Sequence, residues 1–191
     1  MSAEKKRYNK QSFENLLLIS GSGRNCGKTT LACEIIKKMA KNTNVYALKI
    51  SPHFHQLGEK QELLTRQEGF SLFREKDMHS TKDSARMLKA GAKESLYLQC
   101  EDAATAEAFK SVMQIIPKGS PVVCESGALA KSHKPGLFLL LEGESGGQNK
   151  KSFLDNKRLA DQLVHFDGCH FSLNMHQITF NGKTWKLEET L

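Results

Sequence analysis

The residues with the clearest chemical implication are Gly27, Lys28 and Thr29, which follow a glycine-containing stretch and begin a helical pattern. The apolar run Leu16–Ile19 lies just before this stretch and predicts a buried strand. Glycines let the backbone wrap closely around an anion, and the first turn of a helix adds partial positive charge. In this context the lysine reaches the β- and γ-phosphates and the threonine binds Mg²⁺. The stretch therefore predicts a phosphate-binding loop with a nucleotide as its ligand.

The spacing of this loop departs by one residue from the common pattern, Gly, four residues, then Gly-Lys-Ser/Thr. Ser22 occupies the usual position of the first glycine, and Gly21 precedes it. We therefore predict a longer loop, with nucleotide contacts from Gly21, Gly23, Arg24, Asn25, Cys26, Gly27, Lys28, Thr29 and Thr30. Cys26 lies where a helix N-terminus favours a thiolate, although a small residue that fills the loop is the preferred interpretation.

A second acidic residue is expected to complete the site. Glu125 ends the apolar segment Pro121–Glu125, and carboxylates at strand ends hold Mg²⁺ or orient the attacking group in phosphate-loop proteins. We predict Thr29 and Glu125 as metal ligands and Lys28 and Glu125 as catalytic residues. Glu142, which ends another apolar run, is the competing candidate, and a carboxylate that caps a surface turn is the alternative interpretation.

A second anion site is predicted from Lys49, His53 and Arg86. Lys49 lies near the end of the strand predicted at Val45–Ile50, and His53 follows on the next loop. The carboxyl ends of parallel strands face one crevice, so these residues could contact a second anionic small molecule. The pair His53 and His55 could also bind a metal, but no third ligand is near in sequence. Unrelated, solvent-exposed charges are the alternative.

The base preference is expected to be loose. The segment Asn156–Leu159 resembles the guanine-reading pattern Asn-Lys-x-Asp, but Leu159 replaces the required carboxylate. We interpret Asn156 as the start of a helix.

Alternating apolar runs and amphipathic segments predict an α/β fold with a mostly parallel sheet between helices. The predicted strands are Leu16–Ser20, Val45–Ile50, Leu96–Gln99, Pro121–Glu125, Leu137–Leu141 and Val164–Phe166. The predicted helices are Lys28–Lys41, Gln61–Arg74, Lys82–Ala90, Ala103–Gln114 and Asn156–Leu163, with Asp83 or Ser84 as the N-cap of the third. Gly143–Gln148 is predicted as a loop. The segment Ile178–Leu187 alternates about Asn181-Gly182 and predicts a hairpin with a type I′ turn at the sheet edge.

The composition favours a cytoplasmic protein. Charged residues make up 26%, and the longest apolar runs are too short to cross a bilayer. The first ten residues do not have the pattern of a signal peptide. Five cysteines without paired spacing indicate free thiols. The net charge of +7 suits an anionic nucleotide, and the lack of an aromatic basic stripe makes nucleic acid the weaker expectation.

Three segments together resemble the molybdopterin-guanine dinucleotide biosynthesis protein B family of phosphate-loop GTP-binding proteins. They are the loop that ends in Gly27–Leu31, the pair Leu48-Lys49 with His53–His55, and Lys82–Ser84 with Arg86 and Ala90–Ala92. The resemblance covers roughly residues 14–127. Ser126 breaks the family's Glu-Gly pair, Ile50 stands where histidine is frequent, and the longer loop is more similar to dethiobiotin synthetase and cobyrinic acid amidases.

The resemblance implies a three-layer P-loop NTPase fold. The C-terminal β-hairpin is predicted from the alternation of Ile178–Leu187 and has no counterpart in the resemblance. Residues 1–12 would be a flexible tail, 13–168 the NTPase domain and 169–191 a hairpin appendage of that domain. The implied function is Mg²⁺-dependent binding of ATP or GTP with slow hydrolysis, in support of molybdenum cofactor guanylylation. The alternatives are an ATP-dependent ligase or kinase similar to dethiobiotin synthetase, and a non-catalytic nucleotide switch. The superfamily also makes a homodimer one possible assembly.

Overall fold

The computed structural model describes residues 10–55, 60–143 and 150–189. Within these ranges the chain forms an α/β fold built on one mixed, mostly parallel sheet of eight strands, with a separate C-terminal antiparallel hairpin. The strands of the large sheet are β1 (Gln11–Gly21), β2 (Tyr46–Ser51), β3 (Gln61–Gln67), β4 (Phe70–Glu75), β5 (Glu94–Cys100), β6 (Val122–Glu125), β7 (His133–Gly143) and β8 (Gln162–Phe166). The hairpin consists of β9 (Ile178–Phe180) and β10 (Trp185–Leu187). The α-helices are α1 (Lys28–Met39), α2 (Asp83–Lys89), α3 (Thr105–Ile115) and α4 (Lys151–Lys157).

The strand order is β3-β4-β5-β2-β6-β1-β7-β8, so β6 lies between β1 and β2 at the centre. Strands β5, β2, β6, β1, β7 and β8 pair in parallel, and β4 runs antiparallel to β5 and β3. The carboxyl ends of the parallel strands therefore meet at one edge of the sheet, where ligands bind in open sheets of this kind. The predicted fold class is confirmed at this level.

The alternation of side chains along β1 divides the core between the two faces of the sheet. Leu16 and Leu18 pack into a cluster with the apolar side of α3, and Leu17 and Ile19 pack into a cluster with the apolar side of α1. All four are fully buried. This is the pattern expected of a central strand, which is covered on both faces and so reads as a continuous apolar run.

The helix predicted over Gln61–Arg74 is wrong, because this segment forms the antiparallel strands β3 and β4. Gly69 has φ of +77° in the turn that joins them. Residues such as Gln61, Glu62 and Leu63 favour helix by intrinsic propensity, but pairing of β4 with β5 over a register from Phe70↔Cys100 to Arg74↔Leu96 outweighs that preference.

Smaller differences concern element boundaries. Strand β1 begins at Gln11, which pairs with His133, so it enters the range predicted as a tail. The helix predicted at Asn156–Leu163 is wrong in position, since α4 ends at Lys157 and β8 begins at Gln162. Of the loop predicted at Gly143–Gln148, residues 144–148 lie outside the described residues. Among the described residues, no helix has both the length and the apolar character needed to span a membrane.

The C-terminal hairpin is confirmed, but its predicted position and turn type are wrong. Strands β9 and β10 form their own sheet and do not extend the edge of the large one. Ile178 and Trp185 join the α1-side core cluster. Asn25 is the one non-glycine residue with positive φ in the described part of the chain, so Asn181 lacks the type I′ conformation. Its side chain instead accepts the N–H groups of Lys183 and Thr184.

Trp185 should be the residue that attaches this hairpin to the domain. Its side chain is 1% exposed, and its indole N–H donates to the Asn15 carbonyl at 2.9 Å. Trp185→Ala should lower the free energy of unfolding by about 3–5 kcal/mol, because it leaves a large cavity. Urea denaturation followed by circular dichroism measures the effect. Lys183→Ala, at the exposed turn, should stay within about 0.5 kcal/mol of the parent. A loss below about 1 kcal/mol for Trp185→Ala would contradict the packing role.

Candidate functional site

The glycine-rich loop, residues 22–27, connects β1 to α1 at the carboxyl edge of the sheet. Backbone contacts attach it to β7, since the Ser22 N–H donates to the Leu141 carbonyl at 2.9 Å. Gly27 precedes the helix with φ of +88°, and Asn25 has φ of +58°. These positive φ values turn the chain sharply before Lys28, as the sequence pattern requires.

Close packing fixes the shape of this loop. A Cβ added to Gly21 would lie 2.6 Å from the Cys26 sulfur, and one added to Gly27 would lie 2.6 Å from a ring carbon of Phe166. A Cβ on Gly143 would lie 2.7 Å from that of Cys26. Close neighbours therefore require glycine at all three positions, and at Gly27 the positive φ requires it as well.

Cys26 belongs to this packing. Its side chain is buried between Gly21 and Gly143, and its thiol donates to the Gly23 carbonyl at 3.2 Å. The structure supports the interpretation of Cys26 as a small residue that fills the loop.

The eight other predicted nucleotide-binding residues all line a cleft of about 830 Å³ beside the loop.

Lys28 extends over its own loop. Its ammonium group donates to the Gly23 carbonyl and contacts the Cys26 sulfur at 3.3 Å. Both partners are neutral groups of the loop itself. An anion held by the loop would be a stronger partner for the ammonium group, because charge-assisted hydrogen bonds are roughly twice as strong as neutral ones.

The register of the central strands brings Lys49 and Glu125 together. Glu125 on β6 pairs with Ile19 on one side and with Lys49 on the other. Residues that pair across parallel strands point to the same face, which here is the face covered by α1 and α2. The Lys49 ammonium group lies 2.5 Å from Glu125 Oε1.

Two further side chains complete this cluster. Thr29, in the first turn of α1, places its hydroxyl 2.7 Å from Glu125 Oε2 and 2.9 Å from Asp83 Oδ1. Asp83, in the first turn of α2, accepts from Lys49 at 2.7 Å through its other oxygen. Thr29, Glu125, Lys49 and Asp83 thus form a closed ring of contacts, which we call the site ring.

The donors of the site ring suit a hard divalent cation. The Thr29 hydroxyl has one hydrogen but lies within hydrogen-bonding distance of two carboxylates, so it can satisfy only one of them at a time. Carboxylate and hydroxyl oxygens are the ligand type that Mg²⁺ takes, and it needs only one or two protein carboxylates when phosphates and water supply the rest. Within the described ranges, no three His, Cys, Asp or Glu side chains gather as a complete metal site.

Electrostatics explains how these charges coexist. Burial lowers the pKa of Lys49, but the charges of Glu125 and Asp83 and hydrogen bonds to both outweigh it, so the pKa lies above the ordinary lysine value. Burial raises the pKa of the Asp83 carboxyl, but the Lys49 charge and hydrogen bonds from Lys49 and Thr29 bring it below its ordinary value. Lys49 and Asp83 are thus held in their charged forms by their neighbours.

The prediction of Asp83 or Ser84 as the N-cap of α2 is wrong. Lys82 occupies the cap position, and Asp83 contacts Thr29 and Lys49. The Ser84 hydroxyl donates to the buried Glu75 carboxylate at 2.7 Å. Sequence reasoning therefore missed Asp83 as a member of the site. A carboxylate that begins a helix is an ordinary capping signal, and its partner Thr29 lies 54 residues away.

The other candidates have contacts outside the site ring. Glu142, the competitor of Glu125, pairs with His165 Nδ1 at 3.0 Å. Asn156 lies near the end of α4 and not at a helix start, and it is buried. Its amide donates to Ser20 Oγ at 3.1 Å and to the Gly127 carbonyl at 3.2 Å. Leu159 packs against the α3-side core cluster.

The predicted second anion site shares the same cleft. Lys49, His53 and Arg86 all line it, and Arg86 Nη2 lies 3.3 Å from the Thr30 hydroxyl. The rings of His53 and His55 are 5.9 Å apart. Among the residues that the structure describes, five cationic side chains line the cleft against the two carboxylates of Asp83 and Glu125; the cations are Arg24, Lys28, Lys49, Lys82 and Arg86. The cleft therefore favours a polyanionic ligand.

Comparisons of the chain with models of known families, with curated proteins and with solved structures found no match. The assignment of the site therefore depends on its residues and their geometry.

The pKa of Asp83 gives a pH-dependent prediction. Because its pKa is depressed in the folded protein, ionised Asp83 should stabilise the fold above its ordinary pKa of 3.8, and this contribution should disappear as the pH falls through the lowered value. Asp83→Asn should therefore be less stable than the parent at neutral pH and should approach it in acid. Urea unfolding at a series of pH values measures the difference. Glu34→Gln, at an exposed position on α1, is the control. A stability difference that does not change with pH would exclude this role for Asp83.

Proposed function

We propose that this chain is a Mg²⁺-dependent nucleoside triphosphate-binding protein with slow hydrolysis at most. One observation carries the proposal. The hydroxyl of Thr29, which follows the loop lysine, lies 2.7 Å from Glu125 at the end of the neighbouring central strand. A phosphate-binding loop and a metal-binding strand end need this arrangement if they are to act on one ligand.

The residues have separate roles in this proposal. The N–H groups of the glycine-rich loop and the Lys28 ammonium group bind the phosphates. Thr29, Glu125 and Asp83 hold the metal through oxygen atoms. Mg²⁺ bound there would neutralise negative charge on the phosphates. Lys28 would exchange its contacts with Gly23 and Cys26 for phosphate oxygens.

The contacts of Glu125 account for slow hydrolysis. One carboxylate oxygen lies near Thr29 and the other near Lys49, and the residue is 2% exposed. A general base must be within hydrogen-bonding reach of the water that it activates. Both oxygens of Glu125 already have partners, so we expect it to position charge more than to remove a proton.

The resemblance of residues 14–127 to the molybdopterin-guanine dinucleotide biosynthesis protein B family extends the proposal to a biological role. On that basis the protein would assist guanylylation of the molybdenum cofactor.

A second candidate function is acceptor-dependent phosphoryl transfer, as in an ATP-dependent ligase or kinase. The observation that favours it is the extent of the cleft, whose lining also includes His53, Tyr97 and Arg86. An anionic acceptor would fit this cationic part. Release of phosphate without a second substrate supports the first candidate, and ADP formation that requires an acceptor supports the second. Tight binding without turnover would indicate a nucleotide switch.

Lys28 should provide a large part of the triphosphate affinity. Lys28→Ala should weaken binding of ATP or GTP by about 1.5–3 kcal/mol, the range for a hydrogen bond to a charged group. Isothermal titration calorimetry with and without Mg²⁺ measures the change. Lys37→Ala, an exposed lysine on the same helix, should leave the affinity unchanged. Unchanged nucleotide affinity in a folded Lys28→Ala protein would refute the proposed site.

The base should be read loosely. Asn156 uses its amide to bond Ser20 and Gly127, and Leu159 has no carboxylate to pair with guanine. A site built for hydrogen bonds to one base rejects other bases strongly. We therefore expect ATP and GTP affinities within about tenfold, or ~1.4 kcal/mol, in the same calorimetric panel. A hundredfold preference for GTP would show that another segment reads the base.

A further inference from the structure

Both carboxylates of the site ring use both of their oxygens in contacts within the ring. Glu125 directs Oε2 to Thr29 and Oε1 to Lys49, and Asp83 directs Oδ1 to Thr29 and Oδ2 to Lys49. Lys49 therefore makes the same pair of ion contacts that a cation between the carboxylates would make. Its side chain is 19% exposed, so water screens these contacts only in part.

We propose that Lys49 is a built-in counter-ion that excludes divalent metal from Asp83 and Glu125 until a nucleotide brings the metal into the cleft. This inference rests on the proposed function, because it concerns the same site. It adds an order of binding that the proposed function alone does not require: free metal binds poorly, and the metal–nucleotide complex binds well.

Charge balance is the physical reason. Two carboxylates alone would attract a free divalent cation, but with the Lys49 ammonium group between them the cluster carries a net charge of only minus one. Mg²⁺ also gives up its water reluctantly and needs near-octahedral coordination. A triphosphate supplies further oxygen ligands and negative charge, so the metal arrives with part of its coordination complete.

The alternative is that Lys49 is an ordinary structural ion-pair partner with no influence on metal binding. Both interpretations predict that removal of Lys49 affects stability, since it leaves Glu125 buried without its cation. They differ in the metal affinity of the nucleotide-free protein. Only the counter-ion proposal predicts that this affinity increases when the positive charge of Lys49 is removed.

The cleft offers a matched control. Lys82 also lines it and is the residue before Asp83, but its ammonium group lies 3.5 Å from Gln61 Oε1. Lys82→Met removes one positive charge from the same cleft and leaves the contacts of the site ring in place. It therefore separates the contact made by Lys49 from the general electrostatic effect of a lost cation.

The test is titration of nucleotide-free protein with Mn²⁺, followed by the electron paramagnetic resonance signal of the free ion. Lys49→Met should bind Mn²⁺ at least about tenfold more tightly than the parent, as expected when a charge-assisted contact no longer competes. Lys49→Arg should bind it as weakly as the parent because it keeps the charge. Lys82→Met should stay within about threefold of the parent.

Several results would overturn the proposal. One is a folded Lys49→Met protein with the metal affinity of the parent. If circular dichroism shows that this variant does not fold, Lys49→Gln, which keeps a hydrogen-bond donor without the charge, takes its place. Tight binding of Mn²⁺ by the nucleotide-free parent would overturn the proposal without any variant.

A second arm adds ATP or GTP to the parent protein and separates this inference from the proposed function. Mn²⁺ binding that appears only with nucleotide, and that exceeds the binding by the same nucleotide in protein-free solution, supports both. Nucleotide-dependent Mn²⁺ binding together with an unchanged Lys49→Met affinity refutes the counter-ion role and leaves the function intact. If nucleotide does not increase Mn²⁺ binding by the protein, the proposed function fails. The proposal that nucleotide brings the metal to Asp83 and Glu125 then fails as well.

Discussion

The central constraint in this structure is the burial of the Glu125 carboxylate, which is 2% exposed at the end of β6. A buried charge is tolerated only when other groups pair with it. Here Lys49 of β2 and Thr29 of α1 contact the carboxylate directly. Asp83 of α2 contacts both Lys49 and Thr29, so three separate elements contribute. The starts of α1 and α2 and the ends of β2 and β6 must therefore be positioned to within a hydrogen-bond length of one another.

The parallel register of β1, β6 and β2 determines where the residues around Glu125 lie. Because β6 lies between β1 and β2, Ile19, Glu125 and Lys49 align across the three strands. Glu125 and Lys49 then face α1 and α2, while Cys124, on the opposite face, packs in the other core cluster, where burial raises the pKa of its thiol. A shift of one residue in the register of β6 would exchange these faces. The carboxylate would enter the apolar core beneath α3.

The parts of the site that the sequence predicted are those whose signals are local. The strand before the loop, the helix after it and the acidic end of β6 all follow from runs of adjacent residues. Asp83 was missed because nothing near it in sequence indicates its contacts with Thr29 and Lys49. The strands β3 and β4 were missed for a similar reason. Their residues favour helix, and only the pairing of β4 with β5 makes them strands.

The C-terminal hairpin also shows which features a local sequence pattern does not predict. Its alternation and its Asn-Gly pair predicted two strands correctly, but the turn type depends on Asn181, whose side chain accepts two backbone N–H groups of the turn. The position of the hairpin depends on Trp185, which contacts the Asn15 carbonyl at the other end of the sequence. For this hairpin the local pattern predicts the type of element, and distant contacts decide where it packs.

Lys49 connects the site ring electrostatically with the predicted second anion site. Its ammonium group contacts Asp83 and Glu125, and His53 and Arg86 line the same cleft. While the carboxylates hold Lys49, most of its charge is neutralised and contributes little to the attraction of a second anion. A cation that neutralises the carboxylates instead would leave that charge available to an anion at the predicted second site. Because Coulomb interactions at these distances are large in a partly buried site, we expect such a cation to raise the affinity of that site for an anion.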